Sequence, residues 1–220
     1  MSTLADNLAR VREQIGTAAH RAGRDSDEIE LVTVTKRQPA ALIIEALAAG
    51  ARDLGENYVQ EAADKRGDIR GGRWHLMGHL QSNKAKQAVA LFDMVQSVDG
   101  VKLARTLGRH AQEQGKTQEI LLQVMLGDEE TKSGLAPGLV GEAAAEIAGV
   151  PHVALCGLMG IAPSGVDPRP YFRHLRRLFE ALPADNQRVL SMGMSGDFVS
   201  AIEEGATMVR IGTAIFGTRQ

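Results

Sequence analysis

Lys36 closes the run LVTVTKRQPA at residues 31–40, where β-branched residues and threonines alternate as in a strand and a lysine stands just before a turn. An amine at the end of a strand can form a Schiff base with a carbonyl compound if something nearby holds the rest of that compound. Two later segments offer what a phosphate needs. In SMGMSGDF, residues 191–198, Ser195 reads as a helix N-cap among glycines; in RIGTAIFG, residues 210–217, the amides of Gly212 and Thr213 open a short last helix. Glycine lets backbone N–H groups approach an anion closely, and the Ser195 and Thr213 hydroxyls add hydrogen bonds without bulk. Each segment alone is equally a plain cap, and Lys36 alone a solvated cation. They amount to a site for a phosphorylated carbonyl compound only if the fold brings them together.

The elements that must do so recur at a regular beat. Short apolar runs begin at LVTVT (31), ARDLG (51), RWHLM (73) and MVQSV (94), each roughly 21 residues after the last, a spacing suited to repeated βα units. EILLQVML (119), HVALCGLM (152), RVLSMG (188) and TMVRIG (207) bring the strands to eight, with helical patterns at 39–49, 57–66, 100–114, 138–148, 169–181 and 196–204. Pro39 helps to begin the first of these helices. Eight strands in strand-then-helix order predict an α/β protein, a single (β/α)8 TIM barrel occupying residues 1–220 with no linker. A doubly wound sheet is the alternative, but no glycine-rich fingerprint follows the first strand. Ahead of the barrel, Thr3 and Asp6 in capping-box spacing and Leu4, Leu8, Val11, Ile15 and Ala18 at helical intervals predict an N-terminal amphipathic helix. In a barrel, chemistry sits on the loops after the strands, so Lys36, GENY (55–58), MGHLQSNK (77–84) and the two glycine segments would share one mouth.

Composition narrows the classes of function. With 25 Lys and Arg against 27 Asp and Glu, a net charge of −2 and only 4% aromatics, the chain shows neither a basic footprint nor a stacking platform for nucleic acid. The one cysteine, Cys156, has no disulfide partner and reads as a buried thiol without a reactive role. Asp6 and Glu13 interrupt the N-terminus where a signal peptide would be apolar, and no window suits a membrane span, so a cytoplasmic location away from membranes is expected. His75 and His79 invite a metal reading, but a bend at Gly78 would separate them and no third ligand stands near; no metal site is expected. His75 reads as a satisfied barrel residue, while His79 can reach a ligand from the mouth. The charged loop GDEETKSGL (127–135) lies at a strand exit and can close over the site.

TVTK with its lysine, GENYVQE, WHLMGHLQSNK, GDEETKSG, GLMGIAP, SMGMS followed by Asp197, and VRIGTAIFG together resemble the pyridoxal phosphate homeostasis proteins, small single-domain relatives of the alanine racemase barrel. The likeness runs along nearly the whole chain with the motifs in order. It implies pyridoxal 5′-phosphate (PLP) held as an aldimine on Lys36, with Ser195, Gly212 and Thr213 on its phosphate, Arg210 facing the pyridine nitrogen, and Asn57 and His79 lining the ring or its substituents. It also implies intracellular buffering or delivery of PLP, with PLP-dependent apo-enzymes as partners. A PLP-dependent amino-acid racemase and a cofactor-free Schiff-base aldolase are the alternatives. Racemisation needs two positioned acid/base groups. The racemases have a partner-subunit tyrosine as the second and an additional C-terminal β domain. This chain's tyrosines, Tyr58 and Tyr171, fall at predicted helix starts, and the sequence stops at Gln220. A non-enzymatic monomer is therefore expected.

Overall fold

The computed structural model describes residues 3–127 and 133–217, so residues 128–132 of the GDEETKSGL loop lie outside the described residues. Eight strands, β1 (Glu30–Val34), β2 (Asp53–Glu56), β3 (Arg73–Leu76), β4 (Met94–Val98), β5 (Gln118–Val124), β6 (Val153–Gly160), β7 (Val189–Ser191) and β8 (Met208–Ile211), pair in parallel and in chain order. The pairing of β1 with β8 closes the barrel, with Val32 opposite Arg210 and Thr33 opposite Ile211. The helices are α1 (Leu4–Arg21), α2 (Ala40–Ala48), α3 (Val59–Arg66), α4 (Ala85–Leu91), α5 (Val101–Glu113), α6 (Val140–Ala148), α7 (Arg169–Glu180), α8 (Phe198–Glu203) and α9 (Thr213–Phe216). The (β/α)8 barrel expected from the repeat is thus the observed fold, with α1 ahead of it. Among the described residues, no helix is long and apolar enough to cross a membrane.

Alternation along each strand explains the two cores. Val32, Met94, Leu121, Cys156, Met159 and Met208 form one buried cluster inside the barrel. Leu54, Trp74, Val95, Ile120 and Leu122, one residue out of phase, pack with the helices in the outer core. Cys156 is buried as the sequence suggests. Desolvation, followed by the Glu119 carboxylate, pushes its thiol up to about 11, which keeps it in the unreactive protonated form near neutral pH.

The segment 85–91 forms α4, and SNK (82–84), which reads in sequence as a helix cap, forms the single 3-10 turn that leads into it, with Lys84 at the N-cap position and no side-chain cap hydrogen bond. One local expectation changes. Ser195 is not the N-cap of α8: Asp197 holds that position, and its Oδ1 accepts from the Met194 amide at 2.6 Å. Ser195 Oγ instead accepts from the amide of Ala214 at 3.4 Å, joining the β7 exit to α9.

The N-terminal helix has a clear structural duty. The helix after β8 is only one turn long, and α1 packs against α8, α9 and α2 to complete the outer ring there. Its buried face is Leu4, Leu8, Val11, Ile15, Ala18 and Ala19, and Asn7 Nδ2 donates to Ile215 O at 3.0 Å. The capping box is present, with Asp6 N donating to Thr3 Oγ1 at 3.1 Å and Thr3 N to Asp6 Oδ2 at 2.9 Å. Thr3→Ala is expected to lower stability by about 1 kcal/mol in urea unfolding, the usual loss for an N-cap hydroxyl.

Candidate functional site

A cavity of about 290 Å³ opens where the strands end. Val34 reaches it from the end of β1, Asn57 and Met77 from the exits of β2 and β3, and Ile161 from that of β6. Ser195 and Gly196 come from the β7 exit, Gly212 and Thr213 from that of β8. Lys36 and Arg210 also line it. The fold therefore brings the strand-end lysine and both glycine segments to one place, and the volume suits a small ligand.

Lys36 sits in a turn that is held from both sides. β1 ends at Val34, Thr35 N donates to Gly55 O at 2.8 Å, and Gln38 N closes the turn onto Thr35 O at 3.0 Å. Arg37 adopts the left-handed region with φ 60°, and its amide donates to Glu61 Oε1. Beneath, Lys65 Nζ on α3 donates to Thr35 O at 2.9 Å, Glu56 Oε1 at 2.9 Å and Glu61 Oε1 at 2.6 Å. Thr35 Oγ1 donates to Glu56 Oε1 at 2.7 Å. Glu56 is completely buried; desolvation raises its carboxyl above the usual range, against the lowering influence of Lys65 and Thr35. No pattern in the sequence brings these groups together, although GENYVQE, which supplies both Glu56 and Glu61, marks the place of the cluster.

Arg210 projects from β8 into the floor of the cavity and is almost entirely buried. Nη1 donates to Ser191 Oγ at 2.7 Å and Nη2 to Gly160 O at 3.0 Å, both neutral acceptors. Desolvation pushes the guanidinium down to about 10, against the opposing charge of Asp197, so Arg210 stays cationic near neutral pH. A buried cation with no carboxylate in hydrogen-bond contact among the described residues leaves the cavity floor short of an electron-rich partner.

Close packing at two glycines fixes backbone that borders the cavity, at Val34 and at Asn57. A Cβ at Gly212 would stand 3.2 Å from both Val34 Cβ and Val34 O, so glycine keeps β8 tight against β1. At Gly78 a Cβ would meet Asn57 O at 2.1 Å, and Ser97 Oγ fixes the Gly78 carbonyl at 2.6 Å. Gly78→Ala must displace the Asn57 backbone. We expect it to lose about 1–3 kcal/mol in urea unfolding, the usual range for overpacking, and to disturb ligand binding as well.

The histidines part company. His75 is fully buried, between Asp53 Oδ1 at 2.9 Å and Gln96 Nε2 at 3.0 Å, and is a satisfied barrel residue as read from sequence. His79 stands half exposed outside the cavity lining, with Nδ1 3.6 Å from Asp99 Oδ2. Of the tyrosines, Tyr58 is exposed at the start of α3 and Tyr171 packs on the outer core. Neither lines the cavity. Chemically, the cavity offers an amine, hydroxyls and amides at one end, a cation in the floor and the apolar Val34, Met77 and Ile161. That set suits a flat, anionic, phosphorylated carbonyl compound.

Comparison with known proteins places the chain among relatives. The family model for the alanine racemase N-terminal domain matches residues 4–220. A pyridoxal phosphate homeostasis protein of Escherichia coli is 41% identical over 229 residues, covering 100% of this chain and 98% of the relative. The structure of PipY from Synechococcus elongatus with PLP bound superposes with a TM-score of 0.85 at 38% identity, covering 98% of this chain and 100% of that one. An alanine racemase of Clostridium difficile shares the fold, with a TM-score of 0.73 at 14% identity; this chain covers 57% of its length.

Proposed function

This chain belongs to the alanine racemase N-terminal domain family and, within it, to the pyridoxal phosphate homeostasis proteins, and from that membership we propose that it binds PLP at the barrel mouth and buffers or delivers it in the cytoplasm. The observation that carries this reading is the placement of Lys36, Ser195, Gly212 and Thr213 around one small cavity floored by the buried Arg210. The residues fit PLP: Lys36 would hold it covalently, Ser195, Gly212 and Thr213 its phosphate, and Arg210 its ring nitrogen. Asn57 would lie beside the ring, while His79, which stands outside the cavity lining, would have to leave Asp99 to reach a ring substituent. Bound there, PLP supplies an aldehyde that an amine captures reversibly and a ring that can draw electrons. A guanidinium that keeps its proton disfavours protonation of the ring nitrogen it meets, which mutes that electron sink.

Holding and releasing PLP, rather than turning over a substrate, is the favoured role. A racemase needs a second acid/base group opposite the lysine. Among the described residues lining the cavity, the titratable ones are Lys36 and Arg210. Arg210 keeps its proton near neutral pH, so it cannot serve as that base. The chain would act as a one-domain monomer whose partners are PLP and the apo-enzymes that take it up. The test is a spectral titration with PLP followed by mixing with a PLP-dependent apo-enzyme. We expect one equivalent bound, transfer to the apo-enzyme, and no sustained conversion of L- to D-alanine. Sustained conversion that Lys36→Ala abolishes would establish a racemase instead.

A further inference from the structure

Below the cavity, polar side chains run in line past the apolar Val32, Met94, Leu121 and Met208, ending at Asp53, which also lies 3.8 Å from Arg73 Nη1. Arg210 Nη1 lies 2.7 Å from Ser191 Oγ, and Ser191 Oγ lies 2.7 Å from Gln96 Oε1. Gln96 Nε2 lies 3.0 Å from His75 Nδ1, and His75 Nε2 lies 2.9 Å from Asp53 Oδ1. Ser191, Gln96 and His75 are each completely buried, so no water completes their hydrogen bonding from outside. The line passes from β8 through β7, β4 and β3 to β2.

Its two ends fix its direction. A guanidinium only donates and a carboxylate only accepts, whereas a hydroxyl, an amide and a neutral imidazole each do both. Ser191 accepts from Arg210 and passes its own O–H to Gln96 Oε1. The amide then donates into the Nδ1 lone pair of His75, and the ring's single proton sits on Nε2, where it meets Asp53. Turning the amide over would direct two donors at Ser191 Oγ and leave its hydroxyl proton without an acceptor along the line. It would also require a proton on His75 Nδ1, in addition to the one that meets Asp53, to serve Gln96 Oε1. Only one arrangement satisfies every member, and an unmatched buried polar group is destabilising.

We propose that Ser191, Gln96 and His75 are positioning residues for Arg210, forming a one-way hydrogen-bond chain that pins the guanidinium plane under the cavity. Arg210 forms no ion pair among the described residues, and Asp197 acts on it only through a longer-range field. Without the chain, its one other hydrogen-bonded anchor among the described residues is Gly160 O. With the chain intact, the N–H groups not spent on Ser191 and Gly160 stay in place for the ligand. What Arg210 is held for rests on the reading of the cavity as a PLP site; the direction of the chain does not.

The test combines nitrogen-15 NMR of His75 in the cofactor-free protein with PLP dissociation constants. In the wild type, His75 should carry its proton on Nε2 with Nδ1 accepting. Ser191→Ala removes the donor that orients Gln96, so a second His75 form should appear although the substitution is two residues away along the chain. The dissociation constant for PLP should rise about tenfold, the low end for a lost hydrogen bond to a charged group. Ser191→Thr keeps the hydroxyl and should restore both readouts. If Ser191→Ala does not fold, Gln96→Met cuts the chain at the next link and carries the same expected rise. A proton on Nδ1 in the wild type would overturn the proposal, as would a chain-cutting variant that folds and binds PLP as the wild type does. Failure of the wild type to bind PLP would instead overturn the reading of the cavity, while the His75 signal still decides the direction of the chain.

Discussion

Lys36→Ala is expected to abolish covalent capture of PLP while leaving the barrel folded. Lys36 lies in the turn after β1, partly exposed and outside both buried clusters, so truncating it removes little packing. The turn itself is held by neighbours that the substitution leaves alone: Thr35 O still accepts from Gln38 and Lys65, and the Arg37 amide still reaches Glu61. Ser195, Thr213 and Arg210 also remain, so PLP should still bind, reversibly and more weakly, through its phosphate and ring. The expected result is a thermal midpoint close to that of the wild type, with PLP that is lost on dialysis and a spectrum free of any lysine-linked band. Retention of such a band would mean that another lysine holds the cofactor.

Lys65→Met should be the most destabilising single change considered, at about 3–5 kcal/mol, the range for removing one partner of a buried ion pair. Glu56 is completely buried, and among the described residues its Oε2 has no hydrogen-bond partner and Lys65 supplies the one cation in contact with its Oε1. The sign of the pH dependence follows from the raised carboxyl. Where the folded carboxyl holds its proton at a pH at which the unfolded one has lost it, the native state binds more protons and stability falls as pH rises. Removing Lys65 takes away the influence that keeps this window narrow. The deficit relative to the wild type should therefore shrink as the pH is lowered towards 5. The double variant Glu56→Gln with Lys65→Met should recover much of the loss, because neither charge then remains buried. Urea unfolding at two pH values measures all three forms. Lys65 also holds Thr35 O, so the single variant should in addition capture PLP more slowly through its loosened Lys36 turn.

The barrel was legible because its signals are local and repeated. A strand such as LVTVT alternates, the next apolar run follows one βα unit later, and no segment between them breaks the pattern. Ser195 was read as the cap of α8 because serine before a helix usually is one. Tertiary structure decides otherwise, since the Ala214 amide from a different strand exit takes up its oxygen. The position of His79 depended on the bend after β3, which turns its ring towards Asp99. The polar line from Arg210 to Asp53 was invisible for a related reason. Its members lie on five strands, far apart in sequence, and only closure of the barrel puts them within hydrogen-bond reach. Sequence patterns report which face of an element is apolar; they do not report which buried polar groups meet across a closed interior.

The central claim is that Lys36 is the residue that holds PLP. Borohydride reduction of the PLP-loaded protein, followed by peptide mass mapping, tests it most directly, because reduction makes the lysine linkage permanent. The expected result is a single phosphopyridoxyl group on the peptide that contains Lys36. A label on Lys84 or any other lysine, with Lys36 unmodified, would contradict it.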